Sequence, residues 1–251
     1  MKLYKVDAIV LRSREMRDAD RILTLLSRQQ GKIRAVAHGV NKPSSRKRGA
    51  VQPFCYSSFL LYRGRELDSV NQCEGIEAFS GLRADLDRIS YASYLAELTD
   101  YASMEDQIDG EAFFLLLTIL HLISRDGADV ELLTRSFEIR LLDIAGLRPH
   151  LDNCVGCGVP VESETVGFSS STGGVVCGRC SGIAGDVKFF PRGTVEILKL
   201  LLKWDLKKTK RIKVSPRVRQ QLRQIMQNYI SYHLEKKLET ARFLEKLHQH
   251  Y

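Results

Sequence analysis

Residues 154–157 read CVGC and residues 177–180 read CGRC. The two C-x2-C pairs are separated by nineteen residues, 158–176, the spacing of a four-cysteine zinc site. A pair on a tight turn points both thiolates at one ion. Gly156 and Gly158 flank the first turn and Gly178 lies in the second, where positive φ is cheap. Four soft thiolates with no spare position describe a closed, tetrahedral, structural Zn2+ held by Cys154, Cys157, Cys177 and Cys180. The intervening GFSSSTGG (residues 167–174) is too poor in apolar side chains to fold alone, so the metal stands in for a core. A disulfide pair and a redox C-x-x-C are the competing readings. Nothing marks the chain as secreted, and redox chemistry has no use for a second, matching pair.

Long helical patterns lie on both sides of this module. Residues 82–104 space Leu82, Leu86, Ile89, Tyr94, Leu98 and Tyr101 at helical intervals. Residues 111–124 are apolar nearly all round and predict a helix buried between neighbours, with His121 buried and neutral in it. Residues 130–145 predict a helix closed by Gly146, with Pro149 beyond. Residues 194–204 are again helical. Ser215 and Pro216 cap a helix that runs without Gly or Pro to about Leu247.

The first 75 residues read differently. Val6, Ala8 and Val10 alternate on one parity, with Arg12 and Arg14 following. Residues 21–28 and 33–37 form two further apolar runs joined at Gly31, and residues 54–63 and 66–73 pair across Gly64 and Arg65. Five short strands bury best as a small closed barrel, and the oligonucleotide-binding (OB) barrel is the five-stranded candidate. Residues 38–49 carry Pro, Gly and Ser with four Lys/Arg, and read as a mobile basic loop. The predicted fold is therefore α+β and multidomain. A barrel spans residues 1–80, a helical domain residues 81–152 and 185–251, and the zinc module residues 153–184.

The net charge is +8, from 38 Lys/Arg and 30 Asp/Glu, and it is segregated. Residues 1–50 hold thirteen Lys/Arg against four Asp/Glu, residues 81–150 six against thirteen, and residues 199–251 fourteen against four. Two basic segments around an acidic one point to a polyanion, most plausibly nucleic acid. Candidate phosphate contacts are Arg12, Arg14, Lys32, Arg34, Lys42, Arg46, Lys47 and Arg48. Tyr56 and Phe59 serve either as stacking rings or as core. A second block, Lys203, Lys207, Lys208, Lys210 and Arg211, continuing through Lys213, Arg217 and Arg219, holds a second strand or an acidic protein tail. No phosphate-binding loop, dinucleotide fingerprint or nucleophile elbow occurs. The carboxylate pairs Asp18/Asp20 and Glu105/Asp106 lack a nucleophile and base, and Asp18 and Asp20 read as ion partners of the arginines around them. The reading is a binding protein and not an enzyme. No apolar run is long enough for a membrane helix and the N-terminus reads as a strand, so the expected setting is a reducing cytoplasm. A zinc-containing RNA-binding or transcription-associated factor and a pure protein adaptor are the alternatives.

The order of the pieces resembles one family. DAIVLRSREMRDADRILTLLSRQQGKIRAVAHGV (residues 7–40), VQPF (51–54) and the hairpin GRELDSV (64–70) resemble the N-terminal domain of the bacterial DNA repair protein RecO family. FEIRLLDIAGLRPHLDNC (137–154), leading into the cysteine pairs, resembles the rest of it. The resemblance implies an OB-fold, a helical domain with a zinc module, and binding of single- and double-stranded DNA. It also implies annealing of complementary strands and partnership with RecR. With RecR, and RecF at some junctions, such a protein assists loading of RecA onto DNA coated by single-stranded DNA-binding protein (SSB), and it is nucleoid-associated. An acidic SSB C-terminal tail ending in an aromatic residue calls for positive charge beside an apolar groove; Lys207, Lys208, Lys210 and Arg211 close to Leu201, Leu202 and Trp204 fit that, so residues 199–219 are expected to receive the tail while the barrel holds DNA.

Overall fold

The computed structural model describes residues 2–17, 19–104 and 110–249. Asp18, Glu105, Asp106 and His250 lie outside the described residues, as does the His248 side chain. In chain order the elements are β1 (Leu3–Arg17), β2 (Asp20–Ser27), β3 (Gly31–Ala37), β4 (Tyr56–Tyr62), β5 (Asp68–Glu77), α1 (Ser80–Arg83), α2 (Leu86–Ala102), α3 (Gly110–Ile123) and α4 (Val130–Ile144). They continue with β6 (Thr165–Ser169), β7 (Gly174–Val176), β8 (Lys188–Pro191), α5 (Arg192–Lys203), α6 (Pro216–His233) and α7 (Glu239–Gln249). These elements form two compact units, residues 1–127 with 240–251, and residues 128–239.

In the first unit β1–β5 close into a barrel of order β1-β2-β3-β5-β4. The β3–β5 pair is parallel and the rest are antiparallel, which is the OB topology expected from the sequence. The period-2 apolar set points inward: Val6, Ala8 and Val10, Leu23 and Leu25, Ile33 and Ala35, Phe59 and Leu61. Continued strictly, that alternation would drive Arg12 and Arg14 into the core. A register shift between Val10 and Arg12 prevents it. Beyond the shift Ser13 faces the inward Leu23, while Arg12 and Arg14 pair with Thr24 and Ile22 on the outer face. Gly31 takes φ +66° in the β2–β3 turn, as its position required.

The basic loop between β3 and β4 is anchored, not mobile. Val40 and Val51 belong to the barrel core, and Ala50 and Phe54 are buried. Lys47 Nζ donates to the Val70 carbonyl at 3.0 Å, and Arg48 donates to the carbonyls of Asn41 and Lys42. Composition alone hid these two apolar anchors inside a polar stretch. The helix expected over 82–104 is broken after α1, where Asp85 caps α2 by accepting from the Arg88 N–H at 3.1 Å. α3 leaves Glu111, Phe114 and His121 on an exposed stripe, so His121 is a surface residue packed against the Phe79 ring and not the buried one expected. The long helix expected to run from Ser215 to Leu247 also divides: α6 ends at His233, Glu235 takes φ +50°, and α7 begins anew. The restart is fixed by Glu97 of α2, whose carboxylate accepts from both the Thr240 N–H and the Thr240 hydroxyl.

In the second unit α4 stops where expected, at Gly146 with φ +73°. Ser215 caps α6 by accepting from the Val218 N–H at 3.4 Å. Strands β6–β8 form a sheet of order β7-β6-β8, and Phe168 on β6 packs edge-on against Tyr229 of α6. α4 and α6 are joined at the α4 N-terminus. Asp129 caps α4 through the Leu132 N–H and accepts two bonds from the Arg219 guanidinium, at 2.7 and 2.5 Å. Burial alone would raise the Asp129 carboxyl, but the Arg219 and Leu132 hydrogen bonds outweigh it and hold the carboxyl below its usual range.

Asp129→Ala is expected to cost up to about 2 kcal/mol from the lost cap alone. Because the folded-state carboxyl is depressed, its contribution is full above the ordinary carboxylate pKa of 3.8 and fades as pH falls below it. Urea unfolding at neutral pH and at acid pH checks both points: the gap between wild type and variant should narrow in acid.

Candidate metal centre and nucleic-acid interface

Four Sγ atoms, of Cys154, Cys157, Cys177 and Cys180, lie within 4.8 Å of one another. The Cys157 and Cys177 sulfurs are 3.8 Å apart. That is far too long for a disulfide. It equals the edge of a tetrahedron of thiolates bonded at about 2.3 Å to one ion, which is about 3.8 Å. The donor set and its spacing therefore fit a metal ion, and none of the four cysteines is in a disulfide.

Local backbone builds this geometry. The first pair sits on a turn closed by Gly158 N–H to Cys154 O at 2.8 Å, and the second on a turn closed by Cys180 N–H to Cys177 O at 3.0 Å. Of the three glycines expected to supply positive φ here, only Gly158 does, at +73°. Gly156 is needed for space, since a Cβ there would lie 3.2 Å from Cys180 Sγ and 2.7 Å from Ile183 Cδ1. Gly178 meets neither condition. The GFSSSTGG stretch is held by Asp186, whose carboxylate accepts from the Ser169 and Ser171 hydroxyls, both at 2.7 Å, and from the Ser171 N–H at 3.0 Å. Against opposing burial, these bonds bring the Asp186 carboxyl down to about 2.

The thiols are electrostatically unequal. Burial opposes the Cys154 thiolate, yet the N–H groups of Cys177, Cys157 and Gly156 prevail and bring its pKa down to about 6. Cys180 is pushed up to about 12, first by its thiol contact with Cys157 and then by that with Cys177. Without a cation the cluster favours the first thiolate and resists the last; a bound cation supplies the charge that lets all four deprotonate.

On the barrel, Arg12, Thr24 and Arg34 form one rung across β1, β2 and β3, and Arg14, Ile22 and Val36 form the next. Arg14 and Arg34 are exposed. Arg12 and Lys32 both turn toward Asp100 of α2. Arg12 is 3.6 Å from one carboxylate oxygen, Lys32 is 3.4 Å from the other, and Lys32 Nζ also donates to the Asp100 carbonyl at 2.8 Å. With 13% of its side chain exposed, Lys32 is a buttress between β3 and α2. In the loop Lys42 and Arg46 are exposed, Lys47 is half-buried against Val70, and Arg48 is exposed while tied to the loop backbone. The outward residues of β1–β3 include no aromatic ring. Phe59 is core, and Tyr56 packs edge-on to Phe113. Asp20 hydrogen-bonds His38 Nδ1 at 2.7 Å and accepts from the Gly39 N–H.

The second basic block is built by a single 3-10 turn, Leu206–Arg211. Residues i and i+3 eclipse in such a turn, so Leu206 and Thr209 are both buried, and Lys207, Lys208, Lys210 and Arg211 are left exposed beside Lys203. Asp205 caps it by accepting from the Lys207 N–H at 3.0 Å. Trp204 adjoins them at 37% exposure, with its carbonyl held by Arg140. Arg219, which the sequence grouped with this block, is committed to Asp129 and Glu131.

An OB barrel whose strand face carries unpaired arginines, on a chain that also bears a tetrathiolate cluster within a helical unit, defines a class of barrel proteins with a cysteine-rich helical part. Within that class the assignment is specific. Residues 1–79 match the family model for the Recombination protein O N terminal region, and residues 83–242 that for the Recombination protein O C terminal region. The chain is 47% identical to the DNA repair protein RecO of Desulforamulus reducens and 49% identical to that of Pelotomaculum thermopropionicum. Each match runs over 249 residues and covers 99% of this chain and 96% of the relative. It is 40% identical to the DNA repair protein RecO of Desulforudis audaxviator, covering 98% of both chains. The chain belongs to the RecO family of DNA repair proteins.

In metal-free protein the ultraviolet thiolate band is expected to begin rising near pH 6, and this early rise should shrink in Cys154→Ser, which leaves Cys177 as the other thiol held below its ordinary value. The last thiol should titrate only toward pH 12. The Cys154 thiolate favours the folded state above the ordinary thiol range, and this contribution is lost as pH falls through about 6. Four thiols titrating together near their ordinary value would contradict this.

Proposed function

We propose that this protein is a recombination mediator. It binds single- and double-stranded DNA, anneals complementary strands and, with RecR, assists RecA loading on SSB-coated DNA; RecF takes part at some junctions. The observation that carries the reading is the pair of exposed arginines, Arg14 and Arg34, on the β1–β3 face of an OB barrel in a RecO-family chain. That face and its loops are the usual oligonucleotide surface of the fold. Annealing needs two polyanions brought together, and a basic surface does this by displacing condensed counterions, with no chemical step. The lack of outward rings on β1–β3 favours contacts to the phosphate backbone, which suit an annealing protein indifferent to sequence. The protein acts as a binding protein and not as an enzyme, in the cytoplasm at the nucleoid. The metal is Zn2+ in a structural role, held by Cys154, Cys157, Cys177 and Cys180.

DNA contacts are assigned first to Arg14, Arg34, Lys42 and Arg46, with Arg12, Lys32, Lys47 and Arg48 adding field from paired positions. Arg14→Ala with Arg34→Ala should leave stability within about 0.5 kcal/mol. The same pair should flatten the salt dependence of single-strand binding by about one to two units of slope. Lys32→Ala should instead destabilise the fold, because it leaves Asp100 with one partner fewer. Filter binding of an oligonucleotide across a salt series tests this, and an unchanged slope would move the DNA elsewhere.

The block of Lys203, Lys207, Lys208, Lys210 and Arg211 is assigned to the acidic C-terminal tail of SSB. Its charges surround a half-exposed Trp204, which suits an acidic peptide with an apolar end. Charge reversal at Lys207, Lys208 and Lys210 should abolish tail-peptide binding and slow annealing of SSB-coated strands, while annealing of bare strands suffers less. Equal loss in both annealing courses with intact peptide affinity would make the block a second DNA surface.

A further inference from the structure

The four sulfurs of the metal centre do not meet solvent equally. Cys154 is buried at 1% exposure, and its Sγ accepts from the Cys177 N–H at 3.3 Å. Cys177 and Cys180 are half-buried, and Cys157 is exposed. The cluster therefore has a closed side at Cys154 and an open side at Cys157. Gly156, next to Cys157, is exposed as well.

An isoleucine stands on the open side. Cys180 belongs to the 3-10 turn Gly178–Ile183. Residues i and i+3 eclipse in such a turn, so Ile183 lies over Cys180. The tip of its side chain reaches the first cysteine turn. A Cβ on Gly156 would be 2.7 Å from Ile183 Cδ1 and 3.2 Å from Cys180 Sγ. The Ile183 methyl and the Cys180 sulfur thus share the notch that Gly156 leaves by having no side chain. Ile183 is nonetheless 61% exposed, and its chain neighbours are Ser181, Gly182, Ala184 and Gly185. Core packing does not account for a large apolar side chain at such a position. Access to a metal does, because the apolar shell around a metal site governs how solvent reaches it.

A reagent that removes the metal displaces thiolates one after another. The exposed Cys157 is the first within reach, and the buried Cys154 is the last. Between them the reagent has to pass Cys180, where Ile183 stands.

We propose that Ile183 is an apolar cap on the metal centre: its side chain closes the notch between the two cysteine turns at Gly156 and screens the Cys180 sulfur, slowing both loss of the metal and modification of the thiolates. The inference rests on the assignment of Cys154, Cys157, Cys177 and Cys180 to Zn2+.

The test uses the full chain purified without chelator. Zinc content is measured by elemental analysis, zinc transfer to the chromogenic chelator 4-(2-pyridylazo)resorcinol is timed, and alkylation by N-ethylmaleimide is located by mass spectrometry. Ile183→Ala should keep the wild-type zinc content and urea midpoint, since the substituted side chain is exposed. It should release zinc about tenfold faster, with the gain in alkylation concentrated at Cys180. Ile183→Leu should restore most of the wild-type rate. Gly156→Ala drives the Ile183 tip from the notch and should also speed release. Its effect should shrink when Ile183→Ala is already present, because both changes act on one notch. Absence of zinc from the wild-type protein would overturn the metal assignment and the cap with it. Zinc in both proteins with equal release rates would overturn the cap alone. Faster release with a lowered urea midpoint, and alkylation raised equally at all four cysteines, would make Ile183 a residue of the fold and also overturn the cap.

Discussion

One carboxylate takes two of the cations on the barrel's strand face. Asp100 of α2 takes Arg12 from β1 and Lys32 from β3, and so ties the helix to two strands at once. An exposed ion pair contributes little, but this carboxylate is mostly buried at 16% exposure and serves two partners. Arg14 and Arg34 on the strand face have no ion-pair partner among the described residues. The register shift between Val10 and Arg12 makes that face possible, because without it the arginines would share the parity of the core. Two devices shape this face: a bulge turns Arg12 and Arg14 outward, and Asp100 engages Arg12 and Lys32.

The second unit works by a parallel division. Asp129 and Glu131 at the head of α4 consume Arg219 and Arg223. Among the described residues no ion pair is formed by Lys207, Lys208, Lys210 or Arg211 of the 3-10 turn, whose buried positions are Leu206 and Thr209. Nearby in sequence, four cysteine sulfurs lie within 4.8 Å of one another, a set that could hold a metal ion. The polar GFSSSTGG turn is secured by Asp186, while Phe168 of the same stretch is buried against Tyr229.

Much of this was legible in the sequence. The two C-x2-C pairs announced the cluster, the period-2 runs announced the barrel, and Gly31 and Gly146 marked a turn and a helix stop correctly. What was not legible depends on contacts distant in sequence. The basic loop looked mobile because Val40 and Val51 are single residues in a polar stretch, and only closure of the barrel puts them in its core. The last helix looked continuous because nothing in residues 215–247 breaks a helix; the break is fixed by Glu97, which lies 143 residues from Thr240. The pairing of Lys32 with Asp100 was not legible because 68 residues separate them in sequence. His121 looked buried because an apolar helix does not declare which narrow stripe it leaves to solvent. The family resemblance ordered the pieces, but the choice between paired and unpaired cations came from geometry.

The central claim is that DNA lies on the β1–β3 face of the barrel and not on the 3-10 turn of the second unit. Photocrosslinking of a single-stranded oligonucleotide to the intact protein, read by mass spectrometry of the linked peptides, tests it most directly. The account predicts links concentrated in residues 12–36 and 42–46, suppressed in the Arg14→Ala, Arg34→Ala protein. Links concentrated instead in residues 203–211, and unaffected by those substitutions, would contradict it.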